Sequence, residues 1–417
     1  MGSFLINGGR RLSGEIRVDS AKNSLLPLLA ASILTKKDVT LKKCPDISDV
    51  GSMLSILKNL GCGVERDGNG DIHIACTKAD KFEIPPSLAK EIRSSIFMLG
   101  PIVSRFGAAK VAYPGGCEIG MRPIDLHLKG LKSLGVSIKE EYGYIICDGG
   151  NMRGADVLLD YPSVGATENI MMAAVLTKGN TAIRNAAREP EIIDLQNFIN
   201  AMGGKVRGAG TQTIEIEGVG ELGAVEYTAL PDRIIAGTYI VACAMAGGKI
   251  RLINVIPENI YALISKLKES YINIDCGERE LTVECNRRPL SSQIVETLPY
   301  PGFPTDLQAQ FLSLQCICDG TCLVIENMFE TRFKHVPELV KMGANITVRD
   351  RMAIVRGVRR LHGAEVNVHD LRGGAALVLA GLAAEGKTRI HNIQHIDRGY
   401  DGLDGKLNGL GADIIRI

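Results

Sequence analysis

One local pattern, a helix end followed by a glycine and an alternating strand, recurs six times along this chain and restricts it to a repeat architecture. The copies are Leu60-Gly-Cys-Gly-Val, Leu134-Gly-Val-Ser-Ile, Met202-Gly-Gly-Lys-Val, Ser270-Tyr-Ile-Asn-Ile, Met342-Gly-Ala-Asn-Ile and Leu410-Gly-Ala-Asp-Ile. The residue after the helix falls at 61, 135, 203, 271, 343 and 411, in steps of 68 to 74 residues. A glycine there can take the left-handed conformation that caps a helix, and the period-2 segment after it opens a hairpin such as Val64-Glu-Arg-Asp-Gly-Asn-Gly-Asp-Ile-His-Ile. Only the fourth copy lacks the glycine, carrying Tyr271 instead.

A second signature alternates with the first: an apolar helix rich in small residues, then a turn and a strand. It appears as Leu28-Leu-Ala-Ala-Ser-Ile-Leu, Ile96-Phe-Met-Leu, Ile170-Met-Met-Ala-Ala-Val-Leu, Tyr239-Ile-Val-Ala-Cys-Ala-Met, Phe311-Leu-Ser-Leu-Gln-Cys-Ile and Ala375-Ala-Leu-Val-Leu-Ala. Helices apolar nearly all round are buried on most faces, so these belong inside with sheets around them. The expected fold is α/β: two domains, each of three units with two helices and about four strands per unit. The last unit ends at Ile417 short of sheet, and Phe4…Val18 reads as an unattached hairpin, so residues 1–21 should complete the C-terminal domain. The expected domains are therefore 22–230, and 1–21 with 231–417. The chain would cross between them near Lys22 and near Leu230-Pro-Asp-Arg233, a natural hinge that sets Lys22 at the cleft.

Composition narrows the function. With 48 basic and 47 acidic residues the net charge is +1, so nothing global points to nucleic acid or an anionic membrane surface. An anionic ligand must be held by local charge. No apolar run reaches the ~18 residues of a membrane span, and Met1–Asn7 lacks a basic segment leading into a long apolar core. A cytoplasmic protein is expected. The eleven cysteines are dispersed, and Cys316, Cys318 and Cys322 sit in apolar surroundings without a histidine cluster. They read as buried thiols, with no structural disulfide and no zinc.

Chemistry concentrates at a few stretches. Tyr113-Pro-Gly-Gly-Cys-Glu-Ile-Gly-Met-Arg-Pro123 sets a thiol, Cys117, and a guanidinium, Arg122, in a turn-forming loop whose backbone N–H groups can face an anion. It reads either as a reactive centre or as a tight connection with an incidental cysteine. Asp19-Ser-Ala-Lys-Asn-Ser24 is a capped helix start that can also hold an anion at its N-terminus. The basic residues among Arg93, Arg332, Asp370, Arg372 and Arg398 each read singly as solvated surface charges, but several of these stretches lie at equivalent edges of repeat units, where converging cations suit a small multiply charged anion such as a phosphate ester with a carboxylate. Asp306 in Phe303-Pro-Thr-Asp306 can serve as a base for a hydroxyl, cap the helix after it, or both.

Taken in order, Lys22-Asn23, Pro114…Asp125, Ser163-Val-Gly-Ala-Thr167, Ala187-Arg-Glu-Pro-Glu-Ile192, Leu230-Pro-Asp-Arg233, Phe303-Pro-Thr-Asp306, Phe329-Glu-Thr-Arg332 and His395-Ile-Asp-Arg-Gly-Tyr400 resemble the UDP-N-acetylglucosamine 1-carboxyvinyltransferase family of enolpyruvyl transferases. The resemblance spans the whole chain. It implies a pair of inside-out α/β barrels of three repeats each. It also implies transfer of enolpyruvyl from phosphoenolpyruvate to the 3′-hydroxyl of UDP-N-acetylglucosamine, with no cofactor and no metal, at the first committed step of peptidoglycan synthesis. These two small molecules are the implied partners, and no oligomer is implied.

By the same resemblance Lys22, Arg122 and Arg398 neutralise the phosphoenolpyruvate anion, Cys117 is the general acid and the target of fosfomycin-type epoxides, and Asp306 is the base. Arg332, Arg372 and Asp370 build the closed site. Asn23, Arg93, Arg122, Pro123, Ile124, Asp125, Leu126, Ser163, Val164, Gly165, Asp306 and Met328 match the family's nucleotide-sugar contacts. One departure is Ser48, where the family often carries lysine; Tyr161, near the uridine-type turn, is a second place where contacts can differ. Two alternatives remain, an enolpyruvylshikimate-phosphate synthase and a non-catalytic binder of UDP-sugars.

Overall fold

The computed structural model describes residues 2–115 and 124–417. The chain divides into two compact units, one holding 20–115 and 124–230, the other 2–19 and Pro231–Ile417. Each has its own apolar core. In the first the central helices are Lys22–Ala31, Leu99–Phe106 and Val164–Ala174. In the second they are Arg233–Ala246, Gln308–Gln315 and Leu371–Ala383. The periodicity argument for buried helices holds: every residue from Arg233 to Met245 is buried. Small residues let these helices approach closely. At Gly100 an added Cβ would lie 2.2 Å from the Asn169 carbonyl oxygen.

Six four-stranded sheets wall the helices, three to a unit. All follow one plan, an edge strand parallel to its neighbour and then two antiparallel strands. Asp156–Leu158, for example, runs parallel to Asn180–Arg184, which pairs antiparallel with Thr213–Glu217 and through it with Lys205–Arg207. One strand passes between repeats. In the first unit Val225–Tyr227, at the end of the third repeat, returns parallel to Asp38–Leu41 of the first repeat.

In the other unit the N-terminal segment does this work, and here the sequence expectation needs correcting. Ser3–Asn7 and Leu12–Arg17 are not a hairpin. The first inserts between Lys387–His391 and Ile414–Arg416, and the second runs parallel to Gly248–Ile253 in a different sheet. Each fills a strand position that its repeat cannot supply, Ser3–Asn7 inside its sheet and Leu12–Arg17 at an edge, and these ladder hydrogen bonds outweigh local hairpin geometry.

The helix ends behave as their glycines require. Gly61, Gly135, Gly203, Gly343 and Gly411 have φ between +91° and +98°, and Tyr271 adopts the same left-handed conformation at φ +60°. The fourth repeat thus keeps the cap with a residue that has a Cβ, at a cost of roughly 1–2 kcal/mol. A second correction concerns the thiols. Cys62 and Cys76 are joined, their Cα atoms 4.3 Å apart. They flank the register pair Gly63–Ala75 on adjacent antiparallel strands, so two cysteines 14 residues apart in sequence become direct neighbours across the sheet.

Candidate active site

In the unit containing 20–230, Lys22 opens its central helix and its ammonium lies 2.8 Å from Asp49 Oδ2, with little of either side chain exposed. Asp49 stands in the first turn of Ser48–Asn59, and Ser48 itself is exposed. Asn23, beside Lys22, is half-buried. Asp49 was not singled out by sequence because its partner lies 27 residues away.

A second cluster in the same unit gathers Arg93, the start of the helix Asp125–Ser133 and the turn Ser163–Gly165. Arg93 begins the 3-10 segment Arg93–Met98. Ser163 caps Val164–Ala174 by accepting from Ala166 N at 3.3 Å. A Cβ on Gly165 would lie 3.0 Å from the His127 ring and 2.9 Å from Phe97, so only glycine lets the turn sit this close. Ile124 and Leu126 are half-buried and Asp125 exposed.

Asn169 locks the cluster. Its Oδ1 accepts from Gly100 N at 2.6 Å, which orients its Nδ2 toward Ile96 O at 2.9 Å and His127 Nδ1 at 3.0 Å. His127 Nδ1 must then accept, so the imidazole is neutral with its proton on Nε2. Burial, reinforced by the Arg93 charge, pushes its pKa down to about 3. Glu168, the next residue inward, has both carboxyl oxygens buried without a hydrogen-bond partner among the described residues. Burial, with the nearby Glu191 and Glu189 charges, raises its pKa well above the ordinary glutamate value. Neither His127 nor Glu168 was picked from sequence, where an isolated ionisable residue in a helical run carries no distinguishing signal.

In the unit containing 231–417, Asp306 lies between two buried guanidiniums. Its Oδ1 accepts from Arg332 Nη2 at 2.9 Å and its Oδ2 from Arg372 Nη2 at 3.2 Å. Asp306 and Arg332 of one repeat therefore meet Arg372 of the next. Phe303 packs edge-on against Phe311 at 5.2 Å, and the fully buried Glu326 accepts from Thr305 Oγ1 at 2.9 Å, so the loop bearing Asp306 is held on both sides. Glu326 also accepts from the backbone N–H groups of Met328 and Phe329, which fixes Met328 beside the same loop. Glu326 is a supporting residue that motif reading missed.

Arg372 donates to Tyr400 Oη at 3.3 Å, and that hydroxyl meets Thr238 Oγ1 at 2.9 Å. Burial works against the Arg372 charge, but Asp306, Tyr400 and Asp232 more than offset it, and its pKa rises above the ordinary arginine range. Asp370 caps Leu371–Ala383, its Oδ1 accepting from Arg372 N and Gly373 N at 3.0 Å each. Its Oδ2, His335 Nε2 and Arg332 Nε are all buried without a partner among the described residues. Burial lowers the His335 pKa against the pull of Asp370. Arg398 is half-buried in the turn that follows Ile393–His395. Cys117, Arg122 and Pro123 lie outside the described residues.

Among the described residues there is no group of three side chains able to hold a metal ion, and no helix long and apolar enough to cross a membrane. Comparison with known proteins agrees with the fold and narrows the chemistry. Residues 6–407 match the family model of EPSP synthase (3-phosphoshikimate 1-carboxyvinyltransferase). The chain is 53% identical, over all of both sequences, to UDP-N-acetylglucosamine 1-carboxyvinyltransferase 2 of Caldanaerobacter subterraneus subsp. tengcongensis. It is 46% identical to the UDP-N-acetylglucosamine 1-carboxyvinyltransferase of Klebsiella pneumoniae, covering all of this chain and 99% of that one. Among solved structures it is similar to the enolpyruvyl transferase NikO from Streptomyces tendae, with a TM-score of 0.90 at 26% identity, covering 100% of this chain and 99% of that one. The chain therefore belongs to the carboxyvinyltransferase family described by the EPSP synthase model.

Proposed function

We propose that this transferase moves the enolpyruvyl group of phosphoenolpyruvate onto the 3′-hydroxyl of UDP-N-acetylglucosamine and releases phosphate. The observation that carries this reading is full-length identity of 53% to a relative named for that acceptor. In this reading the reaction adds the hydroxyl across the enol double bond and then eliminates phosphate. Asp306 takes the hydroxyl proton as oxygen bonds to C2, while the Cys117 thiol delivers a proton to the C3 methylene. Loss of a proton from the resulting methyl group and departure of phosphate restore the double bond.

The pairing of Asp306 with Arg332 and Arg372 supports its part, because two fixed guanidiniums aim the carboxylate and stop it rotating away from an incoming hydroxyl. Lys22, Arg122 and Arg398 neutralise the phosphate and carboxylate of phosphoenolpyruvate, and Asp49 fixes the rotamer of Lys22. Asn23, Arg93, the Asp125–Leu126 helix start and Ser163–Gly165 receive the nucleotide. The product would feed peptidoglycan synthesis in the cytoplasm.

Phosphate release from phosphoenolpyruvate, measured with UDP-N-acetylglucosamine, with shikimate 3-phosphate and with neither, tests the reading. Release with the nucleotide sugar alone is expected. Release with shikimate 3-phosphate instead would assign the other acceptor, and no release in a protein that binds UDP-N-acetylglucosamine would make it a binder.

A further inference from the structure

The outer faces of the six sheets differ in one respect. On four of them, charges pair between neighbouring strands, as Lys42 with Glu226, Lys110 with Glu83, Arg184 with Asp156 and Arg251 with Glu15. The sheet of Ile294–Glu296, Thr321–Ile325, Met352–Arg356 and Asn345–Arg349 has no such pair among the described residues. Its outward residues form three rows set by the register. The first is Ile294, Leu323, Ile354 and Thr347, the second is Glu296, Ile325, Met352 and Arg349, and the third, Thr321, Arg356 and Asn345, is polar. Ile294 is 47% exposed and Met352 43%. Five contiguous apolar side chains thus face outward, Ile294 and Met352 exposed and Leu323, Ile325 and Ile354 half-buried, where four of the other sheets present paired charges, and a contiguous apolar surface of this kind marks an interaction site.

The second row identifies the occupant. Glu296 sits on one edge strand and Arg349 on the other, both exposed. Strands lie ~4.8 Å apart, so these two charges are about 14 Å from each other and cannot pair within one molecule. Among the described residues Glu296 is bonded only by Asn327 Nδ2, at 2.9 Å, and Arg349 makes no ion pair. A two-fold axis parallel to the strands, between Thr321–Ile325 and Met352–Arg356, exchanges the two edges. It sets Glu296 of one copy against Arg349 of the other, twice, and Ile325 against Met352. We propose that this face docks a second copy of the chain in an isologous, sheet-on-sheet dimer, sealed by two reciprocal Glu296–Arg349 ion pairs around an apolar centre.

Two rows of four residues make an interface smaller than the ~20–30 residues a side of stable complexes, so association should be weak, with Kd on the order of 10 μM. Sedimentation velocity over roughly 1–200 μM protein should show a reversible monomer–dimer equilibrium. Ile325→Lys should abolish it with unchanged circular dichroism.

The charge variants give the specific test. Glu296→Arg alone and Arg349→Glu alone should each weaken self-association at least tenfold, because like charges then meet at both ends. An equimolar mixture of those two variants should recover a heterodimer. There the arginine introduced in one variant faces the glutamate introduced in the other, and the native Arg349 of the first faces the native Glu296 of the second. Turnover should be unchanged in all three variants. A wild type that stays monomeric throughout overturns the proposal and leaves the face to a heterologous partner. A dimer indifferent to these substitutions, or single charge variants that fail to recover on mixing, would overturn it as well.

Discussion

Replacing His127 by glutamine should flatten the acid limb of this protein's stability. In the folded chain the His127 ring is buried, its Nδ1 is committed to accepting from Asn169, and its pKa falls from 6.5 to about 3. Between those values the unfolded chain binds a proton that the folded chain refuses. The folded state is therefore fully stable with respect to this group above pH ~6.5 and loses stability as pH falls, until the loss saturates below pH ~3. Linkage puts the loss at about 2 kcal/mol by pH 5 and roughly 5 kcal/mol at the limit.

Urea-unfolding midpoints for wild type and His127→Gln at pH 8 and pH 5 measure it. The variant starts lower at pH 8 because it gives up packing around Gly165, but its decline toward pH 5 should be smaller by about 2 kcal/mol. His335, whose pKa is also lowered by burial, adds acid sensitivity to both proteins and cancels in the comparison. Parallel declines, or a His127 proton resonance that titrates near pH 6.5, would refute the argument, since either means that the ring takes up a proton where it lies.

Asp306→Ala should cost both activity and stability: turnover falls by ~100-fold or more if the carboxylate is the base, and unfolding becomes easier by about 3 kcal/mol because two buried guanidiniums lose their partner. A stability loss with normal turnover would leave Asp306 a purely structural counter-ion. Tyr271→Gly should stabilise the protein by roughly 0.5 kcal/mol in thermal unfolding, the relief of left-handed backbone outweighing the added freedom of the unfolded chain and the lost stacking of Arg287; a lower melting temperature would contradict this. An epoxide phosphonate of the fosfomycin type should add one adduct by intact mass to wild type and none to Cys117→Asp, which should keep some turnover because a carboxylic acid can also deliver a proton. Modification of Cys117→Asp at the same level would move the target to another thiol.

How much of this was legible beforehand depends on the range of each interaction. Helix ends, buried helices and the left-handed position at 271 are encoded within a few residues, and six copies of the same local solution made them readable even where Tyr271 replaces glycine. The count of sheets followed from the same repeats. The motif residues were legible as residues, because their types and spacing carry chemistry.

What the tertiary structure alone decided are the meetings between distant segments. Ser3–Asn7 and Leu12–Arg17 look like a hairpin to local rules, and are pulled into separate sheets because two repeats each lack a strand. Cys62 reaches Cys76 only once the register of two strands is set. The Lys22–Asp49 pair, the Asn169 amide that makes His127 an acceptor, and the two guanidiniums on Asp306 all join side chains 26 to 66 residues apart. Local sequence determines which conformations and functional groups each segment can offer. Which of those groups face one another is decided only when the helices pack and the strands pair, because burial then favours the arrangement in which most of the enclosed charges and hydrogen bonds find partners.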